Sequence, residues 1–259
     1  MSKSKSNGSA SDGHTNVVSS LDNVPVTKQR VPWTNWKKVK ESGIARANIA
    51  VTEVSPDGAT EPKDFTEKHA QETVLQQHVV FFDLNNDGVI NVYETYIGFR
   101  LLGWGILLSL LAMTVIHGGF SWYSLPPGRW LPDPFFRIYI KDVNGAKHGS
   151  DTGTYDHEGR FRAQQFADFF SKYGEQLSDG SWGITYPDAL KGARGQRCVN
   201  DPFGWLAELF EWTATWLTIW PHDGIMRMED VRGVYDGSYF FKIAGERRQK
   251  YVKGELVII

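Results

Sequence analysis

A twelve-residue segment, Asp83 to Glu94, places oxygen-bearing side chains at the spacing that binds a calcium ion. Calcium takes roughly six to eight oxygen ligands, and an EF-hand loop supplies them from positions 1, 3, 5, 7, 9 and 12, with a glycine at position 6. Gly88 stands at position 6. The ligand positions hold Asp83, Asn85, Asp87, Val89 through its backbone carbonyl, Asn91 through water, and Glu94 with both carboxylate oxygens. Every constrained position is filled, so the sequence predicts a calcium site rather than a solvated Asp/Asn turn.

The residues around this loop predict the helix–loop–helix order of an EF-hand. Asp64 and Glu67 have the spacing of a capping box, so a helix is predicted to begin at Asp64 and to run into the loop. A second loop, residues 154–165, has the shape residues of an EF-hand but carries Thr154 and Gln165 in place of the first and last carboxylates. We expect this decayed loop to be a structural partner of the calcium loop without binding calcium tightly itself.

The histidines are the other side chains that could hold a metal. They are His14, His69, His78, His117, His148, His157 and His222. None stands in a haem-attachment, HExxH or Cys/His zinc pattern, so spacing alone assigns none of them a catalytic role. The single cysteine, Cys198, excludes an internal disulfide. Arg194 stands where thiolate–haem proteins carry a glycine, so a thiolate ligand to iron is not predicted.

Composition favours a globular protein that meets an apolar surface. The net charge of −2 and a pI near 6.4 give no global attraction to nucleic acid. Residues 101–128 contain no Asp, Glu, Lys or Arg, which is long enough to span a bilayer. This run is broken at Gly118-Gly119 and closed by a cluster of four prolines, Pro126, Pro127, Pro132 and Pro134. We therefore predict a membrane-associated helical hairpin with a proline knot, and a buried pair of core helices is the alternative.

Residues 203–220 predict a tryptophan-rich helix with one narrow polar stripe. The stripe contains Glu208, Glu211, Thr215 and Thr218. Such a helix either packs on the core or lies in a lipid interface. Residues 132–147 alternate apolar and polar side chains and are predicted to be extended.

The predicted fold is mainly α, with an EF-hand-type module, the membrane-associated hairpin, and a helical C-terminal region that contains a short extended segment. The predicted regions are a largely disordered tail at 1–62, the EF-hand region at 63–100, the apolar hairpin and knot at 101–137, a C-terminal region at 138–245, and a charged tail at 246–259. The first tail is polar and lacks the apolar core of a secretory signal.

The order of these features closely resembles the caleosin family, also called plant-type peroxygenases. Four stretches carry the resemblance: HVVFFDLNNDGVINVYETYIGFRLLG (78–103), LPPGRWLPDPFFRIYI (125–140), KHGSDTGTYDHEGRF (147–161) and FGW (203–205). Together they extend over roughly residues 74–244. Arg137 departs from the family pattern, since the family's knot usually carries a proline there.

The resemblance implies a calcium-dependent haem b peroxygenase, associated with lipid droplets, the endoplasmic reticulum or another membrane, and inserted from the cytosolic side. Such proteins use fatty-acid hydroperoxides to hydroxylate or epoxidise unsaturated lipids. It further implies that His78 and His148 are the haem-associated catalytic histidines, and it leaves self-association open. Because His148 stands on a loop, away from the calcium-moved helix, we expect it to be the steadier anchor for the haem. The alternative function is a non-enzymatic, calcium-binding coat or tethering protein of lipid droplets.

Overall fold

The structure is a computed structural model that describes residues 72–252. The polar N-terminal tail, the predicted helix start at Asp64 with Glu67, and the last seven residues lie outside the described residues. The predicted region boundaries at residues 100, 137 and 245 stay predictions.

The described chain is mainly helical with two small sheets, which confirms the predicted fold class at that level. The helices are α1 (Val74–Val80), α2 (Val92–Leu101), α3 (Ile106–Phe120), α4 (Ala163–Tyr173), α5 (Tyr186–Gln196), α6 (Pro202–Ile219), α7 (Met228–Tyr235) and α8 (Ser238–Val252), with a 3₁₀ helix at Ile140–Ala146. The strands are β1 (Val89–Ile90), β2 (Ile138–Tyr139), β3 (Glu175–Gln176), β4 (Trp182–Thr185) and β5 (Ile225–Arg227). β1 pairs with β2, and β3, β4 and β5 form the second sheet.

The helix that enters the calcium loop begins at Val74, so the prediction of one continuous helix from Asp64 is wrong. Thr73 is extended, with φ −71° and ψ 162°, and its side chain accepts the backbone N–H of Gln76. The Gln76 side chain in turn accepts the backbone N–H of Thr73, which completes a capping box. This reciprocal cap satisfies donors that a continuing helix would have used, and it fixes where α1 starts.

The partner of the calcium loop is also not the one predicted. Ile90 of β1 pairs antiparallel with Ile138 of β2, immediately after the proline-rich segment. The decayed loop at 154–165 instead lies against the start of α1, where Leu75 donates its backbone N–H to Gly159 O at 2.9 Å. No helix immediately precedes this decayed loop, so it lacks the entering helix that would complete an EF-hand.

Two further helix–loop–helix units form the C-terminal half. α4 and α5 flank β4, α6 and α7 flank β5, and the two strands pair antiparallel at Ile184 and Met226. Two neighbouring EF-hands pair their loop strands in the same way, although the loops of these two units contain few carboxylates. The aromatic core beneath these two units includes Phe169, whose ring stacks on Trp212 at 5.1 Å with an interplanar angle of 13°.

The uncharged run forms one helix, α3, and not a helical hairpin. Among the described residues, no helix is long and apolar enough to cross a membrane. After α3 the chain returns through turns, because prolines lack a backbone N–H and restrict the residues before them. The extended segment predicted at 132–147 is likewise short: β2 holds two residues, and the 3₁₀ helix follows at once.

Arg137, the residue at which the sequence departs from the expected family pattern, closes this turn-rich return. It donates from Nη2 to the buried carboxylate of Asp133 at 2.9 Å, and Asp133 also accepts from the Tyr139 hydroxyl at 2.7 Å. Burial opposes ionisation, but these hydrogen bonds outweigh it and lower the pKa of Asp133 to about 2. Phe136, between them, adopts a left-handed φ of 51°. The ion pair therefore folds the segment back towards β2.

Candidate active site

A cavity of about 240 Å³ lies between α1, α2, α3, α6 and α7, and both histidines named from the sequence line it. His78 stands in the last turn of α1, and His148 follows the 3₁₀ helix. The Gln76 amide joins these two elements by donating to Ile140 O at 3.3 Å and Lys141 O at 3.2 Å. Residues 70 positions apart thus share one cavity. Most of the remaining lining is apolar, with contributions from Phe82, Phe99, Ile116, Phe120, Phe210 and Val234.

His78 is held by one ring nitrogen and leaves the other without a hydrogen bond. Nδ1 donates to the backbone oxygen of Val234 at 2.6 Å, and the ring meets Phe240 edge-on at 5.2 Å between centroids. Burial lowers the pKa of His78, so the ring is neutral at neutral pH. A neutral imidazole whose Nδ1–H is fixed by a carbonyl presents Nε2 as a metal ligand.

His148 is paired with a carboxylate. Its Nε2 lies 3.3 Å from Glu211 Oε1, its side chain is 7% exposed, and its Nδ1 is buried without a hydrogen-bond partner among the described residues. Burial lowers the pKa of His148, but the hydrogen bond and charge of Glu211 outweigh burial, so its pKa is raised overall. The two histidines therefore differ in two ways. Burial favours the neutral form of His78, whereas Glu211 favours the charged form of His148. The hydrogen-bonded nitrogen is Nδ1 in His78 and Nε2 in His148.

The loop that carries His148 is anchored to the start of α6. Asp201 caps α6 by accepting the backbone N–H of Gly204 at 2.9 Å, and its other oxygen accepts both the backbone N–H and the hydroxyl of Ser150. Cys198 is exposed and donates from Sγ to Gly149 O at 3.2 Å. Cys198 does not line the cavity, so this geometry gives no support to a thiolate ligand.

Sequence reasoning missed Glu208 as a site residue by placing it on a polar stripe. It lines the cavity, is 2% exposed, and its Oε1 has no hydrogen-bond partner among the described residues. Glu211, one turn on, is 49% exposed. Burial, followed by the charge of Glu211, raises the pKa of Glu208 to about 8. The sequence did contain one sign of this site, a pair of glutamates on an otherwise apolar helix. Helical periodicity could not show which of the two glutamates is enclosed.

Two tyrosines add hydroxyl groups to the same cavity. Tyr155 donates to the backbone oxygen of Tyr235 at 2.5 Å, and the Tyr235 hydroxyl lies 2.9 Å from Thr152 Oγ1. Burial raises the pKa of both tyrosines, so both stay protonated.

Five of the six residues named as calcium ligands lie in the segment between α1 and α2, which contains β1, and the sixth, Glu94, lies in the first turn of α2. Asp83 accepts the backbone N–H of Asp87 at 3.1 Å and that of Gly88 at 2.8 Å. Gly88 has φ 80°, which allows the sharp turn. The oxygen-rich donor set and this turn both fit calcium.

The carboxylates are not gathered around a common point. Asn91 caps α2, and Glu94 Oε2 accepts from Asn91 N at 2.9 Å and Asn91 Nδ2 at 2.6 Å. Within residues 72–252, no three His, Cys, Asp or Glu side chains lie close enough to share a metal ion. To ligate calcium, the Glu94 carboxylate would have to exchange its bonds to Asn91 for the ion.

The loop predicted to bind calcium is in direct contact with the cavity and with the apolar segment. Phe82 just before the loop, Ile90 within it and Thr95 on α2 all line the cavity. Thr95 Oγ1 lies 2.7 Å from Nε2 of buried His117, whose Nδ1 donates to Phe136 O at 2.6 Å. Loop, cavity wall and proline-rich return are therefore joined by packing and hydrogen bonds.

The model of the protein family described as Caleosin related protein matches residues 70–244, which include the calcium loop and the whole cavity lining. The chain belongs to the caleosin family. This confirms the resemblance that the four motifs predict.

Three curated relatives agree with this family. A protein named Peroxygenase, from Lilium longiflorum, is 36% identical over 250 residues, 94% of this chain and 98% of its own length. Probable peroxygenase 4, from Arabidopsis thaliana, is 37% identical over 183 residues, 71% of this chain and 91% of that protein. Another A. thaliana protein, named Probable inactive peroxygenase-like protein, is 29% identical over 161 residues, covering 61% and 73% of the two chains. The first two names confirm the predicted enzyme class, an oxidoreductase. No solved structure matches the chain.

Proposed function

We propose that this chain is a calcium-dependent haem peroxygenase that transfers an oxygen atom from a fatty-acid hydroperoxide to an unsaturated lipid at a lipid-droplet or membrane surface. The observation that carries the proposal is the meeting of His78 and His148 in one largely apolar cavity. Each has a ring nitrogen without a hydrogen bond to the described residues.

The donor set of the cavity fits a haem. His78 would hold it through Nε2, since Nδ1 is already engaged by Val234 O. When bound, haem would supply the redox chemistry that cleaves the peroxide O–O bond and passes on the oxygen. The apolar walls keep water from the reacting groups and suit a lipid tail.

The geometry favours His78 over His148 as the anchoring ligand, the reverse of the sequence-based expectation. A ligand needs a free, correctly oriented lone pair, and the bond to Val234 O orients the His78 ring. His148 Nε2 is instead shared with Glu211, so His148 would orient the peroxide substrate and would not hold the haem. His148 and Glu211 thus form the polar end of an otherwise apolar cavity.

Calcium would act through α1 and α2. Filling the loop at Asp83 and Glu94 would order both helix ends, and α1 carries His78 while α2 carries the cavity residue Thr95. Calcium binding to sensor EF-hands reorients such helix pairs. Calcium would therefore set the position of His78 and the shape of the cavity.

The lipid surface would meet a wide apolar face. Large exposed side chains come from α3, the proline-rich return and the first half of α6: Ile106, Leu107, Leu111, Trp122, Trp130, Leu131, Phe135, Phe136, Trp205 and Leu206. Leu107 is 81% exposed and Trp130 is 77% exposed. An apolar face of this kind marks an interaction surface, and tryptophans favour the lipid–water boundary.

The test combines a spectrum with isotope transfer. The purified protein should show a Soret band, and ¹⁸O from a labelled fatty-acid hydroperoxide should appear in an epoxide or alcohol of oleate, in a calcium-dependent reaction. A protein without the Soret band would instead support a non-enzymatic droplet coat or tether, the candidate favoured by the apolar face and by the relative named as inactive.

A further inference from the structure

Glu208 is a buried carboxyl group whose burial the haem-binding role of the cavity does not explain. It stands on α6, is 2% exposed, and leaves Oε1 without a hydrogen bond to any described residue. An unpaired polar atom inside a protein is destabilising, so its presence calls for a physical reason. A partner that arrives only with the ligand is such a reason.

The surroundings of Glu208 hold its carboxyl at the cavity wall. The Trp212 side chain, one turn on, is 4% exposed, and its polar interaction with the carboxyl favours the ionised form. The charged groups that face it are Glu211, His148 and Asp151, and all three also line the cavity. Burial, Glu211 and Asp151 raise the pKa of Glu208 while His148 and Trp212 lower it, and the outcome of about 8 leaves the group protonated at neutral pH.

Glu208 and His78 stand on different helices that face one cavity. His78 belongs to α1 and Glu208 to α6. Glu211 does not offer the same chemistry, since it is 49% exposed and already engages His148 Nε2. Among the described residues that line the cavity, Glu208 thus combines enclosure, a transferable proton and an unengaged oxygen.

We propose that the Glu208 carboxyl carries the proton of a bound hydroperoxide from the oxygen that is transferred to the oxygen that leaves as the alcohol; this rests on the proposed peroxygenase function. The overall reaction is ROOH plus substrate giving ROH plus oxygenated substrate, so it needs no further oxidant or reductant. The O–O bond breaks and its electron pair goes to the leaving oxygen. Glu208 gives its proton to that oxygen and takes the hydroperoxide proton, which restores the carboxyl.

The decisive variant is Glu208→Gln in the haem-loaded protein. It keeps the size of the side chain but cannot relay a proton. We expect unchanged haem per protein, a roughly 10²–10⁴-fold loss in the rate of hydroperoxide cleavage, and a changed product from cumene hydroperoxide. Two-electron cleavage gives 2-phenyl-2-propanol and one-electron cleavage gives acetophenone, so the ketone share should rise. Glu208→Asp should restore part of the alcohol share.

A second readout does not depend on turnover. Hydrogen cyanide binds ferric haem as the anion and must lose its proton inside the cavity, so its association should be slower in Glu208→Gln. Glu175→Gln, an exposed glutamate on β3, is the matched control and should match the unmodified protein in both assays.

Three results would overturn the role of Glu208. They are an unaltered alcohol share, an unaltered cyanide association rate, or loss of haem in Glu208→Gln with the fold retained by circular dichroism. Should Glu208→Gln fail to fold, Glu208→Ala, which removes the carboxyl altogether, decides by the same two assays, and a wild-type product pattern and cyanide rate in this variant would refute the relay. An unmodified protein without haem or oxygen transfer would instead refute the proposed function itself.

Discussion

His78 Nδ1 donates a hydrogen bond of 2.6 Å to the backbone oxygen of Val234, and this contact joins α1 to α7 at the wall of the cavity. Because a backbone carbonyl only accepts, the proton must be on Nδ1. The Nε2 lone pair is therefore available for a ligand, and the ring cannot turn without losing the bond.

This relationship predicts that His78→Ala abolishes haem binding. A non-covalent haem has few holds besides its axial ligand, so the Soret absorbance should fall to the background of the haem-free protein. His157→Ala, an exposed histidine in the decayed loop, is the control and should keep full absorbance. Haem per protein, measured by pyridine haemochrome, checks this. A His78→Ala protein with full haem content would show that the anchor lies elsewhere.

His148→Ala is expected to retain most of the haem but to lose oxygen transfer. The reason is that His148 Nε2 is engaged by Glu211 Oε1 at 3.3 Å, as suits a residue that orients the peroxide and moves protons. The expected loss of kcat is roughly 10²-fold or more. Loss of haem in His148→Ala, together with its retention in His78→Ala, would reverse the two assignments.

Glu94→Gln should weaken calcium binding strongly, because Glu94 supplies two of the oxygens in an EF-hand site. Asp156→Asn is the matched control in the decayed loop. The Asp156 carboxylate already binds Arg160 Nε at 2.5 Å, so it is not free for a metal. Isothermal titration with calcium compares the two variants. A larger loss in Asp156→Asn would mean that the second loop is the working one.

The ion pair of Asp133 predicts how stability depends on pH. Its pKa is depressed from 3.8 to about 2, so its contribution is present above the unfolded-state value and is lost as pH falls from about 4 to 2. This contribution of Asp133 to the free energy of unfolding is at most about 2 kcal/mol by the linkage relation. Arg137→Gln should remove most of this stabilisation, giving a lower melting temperature at pH 7 and a smaller further drop on acidification.

The control for this pair is Arg227→Gln, which breaks an ion pair with the half-exposed Asp223. Exposed pairs are worth roughly 0–1 kcal/mol, so its melting temperature should change little. Equal effects of Arg137→Gln and Arg227→Gln would contradict a special role for Asp133 in closing the proline-rich return.

The apolar face predicts that Leu107→Glu with Leu111→Glu releases the protein from lipid. Both side chains are exposed, at 81% and 55%, so the fold should tolerate the change while the charged groups resist burial in lipid. Flotation with triacylglycerol droplets coated in phosphatidylcholine measures the bound fraction. Gln164→Glu with Ser171→Glu adds the same charge on exposed positions of α4 and should float normally. Flotation of the leucine variant at the wild-type level would exclude α3 from the lipid contact.

The sequence by itself was enough to predict a calcium loop, since all six expected ligand positions lie within Asp83 to Glu94 and their spacing fits the ion. It also determined the family, through motifs that are contiguous in the chain and that the family comparison confirms. The mainly helical character followed from local periodicity and capping residues. These are properties of neighbouring residues, so no knowledge of packing was needed.

Only the tertiary structure decided which residues share the cavity. α6 is apolar on most of its surface, so its period could not show that Glu208 is enclosed while Glu211 reaches solvent. The pairing of Ile90 with Ile138, and not with the decayed loop, likewise depends on how the chain returns after α3. Such contacts join residues that are far apart in the chain. They depend on how whole helices and strands pack in the core, so the local sequence does not reveal them.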